Sequence, residues 1–90
     1  MIVRWAVYVD LSRPLSKEEQ AEVFSALEAV IPDSGCVGPN RRGVHEVYFV
    51  VDDMPSREDA TREAERSMTE ILERAGVGVT FQISVQPMRT

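Results

Sequence analysis

The chain has 90 residues, 43% hydrophobic and 28% charged, a balance that suits a folded globular protein and excludes a disordered one. Ten lysines and arginines against fifteen aspartates and glutamates leave a formal charge of −5. That sign argues against a partner whose affinity comes from neutralised phosphates, whether nucleic acid or an anionic membrane surface.

A chain this size buries roughly 60% of its unfolded surface, enough for one sheet-and-helix core, so one domain over residues 1–90 is expected. No apolar run approaches the roughly 20 residues that span a bilayer, and the basic, apolar and small-residue succession of a signal peptide does not follow Met1. Cys36 is the single cysteine and has no internal disulfide partner, which makes a reducing cytoplasm the expected location.

The first segment, Ile2 to Asp10, is dense in β-branched and aromatic residues and predicts a strand. Val3, Trp5, Val7 and Val9 share one apolar face; Ile2, Arg4, Ala6, Tyr8 and Asp10 share a mixed one. Residues 11–15 read as a turn around Pro14. Ser16-Lys17-Glu18-Glu19 has the capping-box pattern that opens a helix. Its expected apolar stripe is Ala21, Phe24, Leu27 and Ile31, flanked by Val23 and Val30, and Pro32 ends it.

Cys36 and Val37 begin a short strand, interrupted by the loop composition of Gly38 to Gly43. Val44 to Val51 predicts a long strand with His45, Val47, Phe49 and Val51 on one face and Val44, Glu46, Tyr48 and Val50 on the other. Ser56 caps a second helix with the stripe Ala60, Ala64, Met68, Ile71, Leu72 and Ala75, the pairs Glu58–Arg62 and Glu70–Arg74 on its wet side, and Gly76 at a left-handed end. Val77 to Gln86 alternates as a last strand, with Val79, Phe81, Ile83 and Val85 inward.

The order strand, helix, strand, strand, helix, strand predicts a ferredoxin-like split βαβ sandwich of α+β class: four antiparallel strands with two helices on one face. The expected sheet order is last strand, first, third, second. The opposite face is then open, and it carries the candidate interaction or ligand residues Arg4, Tyr8, Glu46, Tyr48 and Gln82. Such a half-apolar face with tyrosines suits contact with a protein, and a second copy of the chain is the expected partner. The last strand, an unguarded edge, is the other expected surface for self-association.

Val7-Tyr8-Val9-Asp10-Leu11 before a capped helix resembles the first strand of the RNA-recognition motif. Arg42-Gly43-Val44-His45-Glu46-Val47-Tyr48-Phe49 resembles the second signature of that family, K/R-G-F/Y-G/A-F-V-x-F/Y. The resemblance implies shared architecture and a single-strand RNA platform on the open face. Val44 and Glu46, however, stand at the two stacking positions of that signature, and only Tyr8 carries over.

Arg41 and Arg42, between glycines, form a candidate anion-binding loop at a hairpin tip. A hairpin could also bring Cys36 near His45, but two ligands fall short of the four a structural zinc takes, and neither metal nor cofactor is expected. No G-x-S-x-G, H-E-x-x-H, C-x-x-C or phosphate-loop spacing occurs. A non-catalytic interaction module is therefore the primary expectation. The alternative is a small dimeric α+β-barrel enzyme or ligand-binding protein enclosing a pocket between open faces.

Overall fold

The structure, a computed structural model, describes residues 4–32, 35–39 and 45–88. The elements are β1 (Arg4–Leu11), α1 (Lys17–Val30), β2 (Cys36–Pro39), β3 (His45–Asp52), α2 (Arg57–Ala75) and β4 (Phe81–Pro87). The strands form one antiparallel sheet in the order β2-β3-β1-β4, so β1 and β3 are central, as the sequence order predicts.

Both helices close one side of the sheet. Val7, Val9, Val47, Phe49 and Val85 meet Val23, Leu27, Ala64, Met68 and Ile71 in a single buried cluster. Ser67, on the same stripe of α2, is the buried polar residue among them. Among the described residues no helix is long and apolar enough to cross a membrane.

The helix ends follow the capping chemistry in the sequence. Ser16 Oγ accepts from the Glu19 backbone N–H at 3.1 Å, and the Glu19 carboxylate accepts from the Ser16 N–H at 3.0 Å. Arg13 locks the box from outside through two bonds to Glu19, of 2.9 and 2.8 Å. At the far end of α2, Gly76 has φ 70°. Its N–H donates to the Glu73 carbonyl and the next N–H, of Val77, reaches back to Leu72 at 3.1 Å. This is a Schellman end, and the buried pair Val77 and Leu72 completes it.

Four local expectations are corrected. The buried face of α1 is Val23, Ala26 and Leu27, while Phe24 is 46% exposed and Ala21 lies at the surface. The sequence holds two overlapping i, i+3, i+4 phases, and the one containing Val23, Leu27 and Val30 faces the sheet. β1 extends through Leu11, which is buried opposite Phe81, because the Ser12 N–H continues the ladder to the Thr80 carbonyl.

The last strand starts at Phe81 instead of Val77, since the Val77 N–H is committed to ending α2. Finally, Arg62 pairs with Asp59 at 2.6 Å and not with Glu58, whereas Arg74 does meet Glu70, at 3.2 Å.

Candidate functional site

Strand alternation sends Arg4, Ala6, Tyr8 and Asp10 to the side away from the helices, and the ladder registers set their neighbours. Directly opposed residues in antiparallel strands share a face, so the open side is built of rows running across the sheet. One row is Cys36, Tyr48, Tyr8 and Ser84. The next, toward one end, is Gly38, Glu46, Asp10 and Gln82. In the other direction come Val50, Ala6 and Gln86, then Asp52 and Arg4.

The central row is aromatic. Tyr8 and Tyr48 stand ring against ring, with centroids 5.2 Å apart and planes tilted by 54°. Tyr8 is 38% exposed and Tyr48 half-buried, and Val50 beside them is also half-buried. Ala6 is buried although no helix covers it, a methyl group among longer neighbours. Four of the predicted residues, Tyr8, Tyr48, Glu46 and Gln82, thus lie in two adjacent rows, and Arg4 closes the face at its far end.

The two ends differ in charge. Arg4 Nε donates to Asp52 Oδ1 at 2.9 Å, an exposed ion pair that neutralises one end. At the other end Asp10 and Glu46 are opposed across β1 and β3, a like-charge pairing that is unfavourable in itself. Those carboxylates flank the tyrosines and would repel a phosphate backbone, so among the described residues the centre of the face does not carry the positive field of a single-strand platform.

Asp52 and Asp53 do not act as a pair. Asp52 belongs to Arg4, and Asp53, at φ 60°, is the turn residue that leaves β3. On the covered side, Trp5 Nε1 donates to the Met54 carbonyl at 2.9 Å, and the Arg57 guanidinium lies 6.0 Å from the indole centroid. Trp5 is the core residue its alternation predicts.

Cys36 is exposed and stands opposite Tyr48, while His45 stands in backbone register with Pro39, three residues further along β2. Among the described residues no group of three or more His, Cys, Asp or Glu could hold a metal ion. Arg41 and Arg42 lie outside the described residues. Cys36 and Gly38 are members of the face that strand alternation within β1 and β3 does not find. Their place depends on the β2–β3 register, which only an unambiguous hairpin turn would have fixed.

No protein-family model matches the chain, and no curated protein matches it. Among solved structures it is similar to the de novo designed protein Foldit4, at 16% identity and a TM-score of 0.47, with 100% of this chain and 99% of that one covered. A likeness at that level carries no functional argument.

Proposed function

We propose that the chain is a small protein-interaction module, a single domain of ferredoxin-like split βαβ architecture, that works by associating with a second copy of itself. The element order together with the sheet order β2-β3-β1-β4 supports the architecture. The observation that carries the functional reading is the uncovered sheet face, where a contacting tyrosine pair, Val50 and Ala6 form an apolar centre between a neutralised end and an acidic end. Tyrosine suits such a surface because its ring buries area while its hydroxyl keeps a hydrogen bond. The acidic row and the formal charge of −5 disfavour a nucleic-acid partner.

Sedimentation velocity over a concentration series, from about 1 to 100 μM, tests the reading, a range that brackets an association in the micromolar class. The expected result is a weight-average mass rising toward that of a dimer. A monomer mass throughout would refute self-association.

A further inference from the structure

We infer that the free edge of β4 pairs antiparallel with β4 of a second copy, in the register centred on Ile83. This rests on the self-association reading above and adds to the open face a second contact, the strand edge that borders it.

The phase of the backbone decides which groups the edge offers. The Ser12 N–H donates to the Thr80 carbonyl at 3.0 Å and the Met88 N–H to the Arg4 carbonyl at 2.9 Å, each one step beyond an end of the β1–β4 register and in phase with it. In an antiparallel ladder, residues bonded to one neighbour alternate with residues directed away from it. The backbones of Gln82, Ser84 and Gln86 therefore turn toward β1, and those of Phe81, Ile83 and Val85 turn outward. β4 is the last strand of the sheet, and no other described strand takes up those outward groups.

A two-fold axis at Ile83 sets Ile83 against Ile83 of the copy and Phe81 against Val85, so each outward N–H finds an outward carbonyl. Sliding the centre toward the C-terminus aims a carbonyl at Pro87, which has no N–H. Sliding it the other way carries Val85 past the start of the strand. The strand thus fits its own copy best in one register.

Side chains agree with that register. On the open face Gln82 comes opposite Ser84 of the copy, and Gln86 opposite Thr80, with no charge on either side. For a chain of charge −5, this is a stretch where two copies meet without carboxylates opposed. On the helix side Phe81 and Ile83 are half-buried in one copy, and the second strand extends the apolar layer they belong to. Natural sheet edges are usually blunted by charge, proline or a bulge, and β4 has its one proline at the very end.

The decisive test is a cross-link. In a Cys36→Ser background, Gln82→Cys and Ser84→Cys chains are mixed and mildly oxidised. The register opposes these positions in a non-hydrogen-bonded pair, with Cα atoms about 4.5 Å apart, within disulfide reach. The mixture should form a disulfide-linked dimer several-fold faster than either variant alone. Ile83→Pro removes an outward N–H without touching the bonds to β1, and should weaken the dimer roughly tenfold for each hydrogen bond lost.

A dimer dissolved by Tyr8→Lys with Tyr48→Lys, with no preferential linkage between positions 82 and 84, would overturn the edge and leave self-association standing. A monomer at every concentration would remove both. If Ile83→Pro does not fold, the cross-link decides alone.

Discussion

Leu27→Ala is the sharpest probe of how α1 sits on the sheet. Leu27 is fully buried, and a Cβ built on Gly35 would come within 2.9 Å of its Cδ2 and 3.2 Å of Phe49 Cβ, so the side chain fills the space where α1, the start of β2 and β3 converge. Truncation removes three carbons, worth about 2.4 kcal/mol at about 0.8 kcal/mol each. The closely packed surroundings leave much of the vacated volume as a cavity, bringing the expected loss to about 3–4 kcal/mol.

For a domain of this size the whole stability is of order 5–13 kcal/mol, and the loss lowers Tm by roughly 12–32 °C. Phe24→Ala is the control: its ring is 46% exposed, so it should cost about 1 kcal/mol or less. Thermal and urea melts followed by circular dichroism measure both. Equal losses at the two positions, or a loss below about 1 kcal/mol at Leu27, would refute the assigned helix face.

Two glycines separate crowding from conformation. At Gly35 an added methyl would meet the Tyr48 carbonyl oxygen at 2.5 Å, and Gly35→Ala should cost about 1–3 kcal/mol by forcing backbone to move. At Gly76 nothing lies within 4 Å, and Gly76→Ala should cost about 1 kcal/mol from the left-handed backbone alone; urea midpoints in the reverse order would contradict this. Acid unfolding tests Glu19, whose carboxyl the Arg13 guanidinium, aided by the Ser16 N–H, holds down at about 2 from an ordinary 4.5. A depressed folded-state value stabilises above the unfolded one, and that contribution is lost as pH falls from the ordinary carboxylate range toward 2. Glu19→Gln should flatten the stability profile in that window, and added salt should shrink the difference because the pair is exposed.

The strands and the long second helix were legible because their patterns admit one phase. β1 alternates so strictly that its two faces follow at once, and the stripe of α2 offers no competing set of apolar positions. α1 was different: Phe24 and Val23 are neighbours in sequence about 100° apart around the helix, and hydrophobicity favours the larger residue. Packing against Phe49 and Gly35 chose the other phase, information that resides in the sheet and not in the helix. The same holds for the site. Tyr8, Tyr48, Glu46 and Gln82 could be placed on one face from alternation, but their order in rows, the Arg4–Asp52 pair and the addition of Cys36 depend on ladder registers between segments far apart in the chain. The start of β4 is not legible in the alternation of Val77 and Val79, because the hydrogen bonds that end α2 leave no mark on that pattern.

The indole bond from β1 to the Met54 carbonyl makes the molecule its own optical gauge. Trp5 is the sole tryptophan, so its emission comes from one place: the point where the chain leaving β3 through Asp53 is tied down before α2 begins. Loss of that tie would free the carbonyl, admit water to an indole that is 8% exposed and shift its emission to the red. Local loosening of the β3–α2 connection would then register in fluorescence while circular dichroism still reported intact helices, giving two separable clocks for how this fold comes apart.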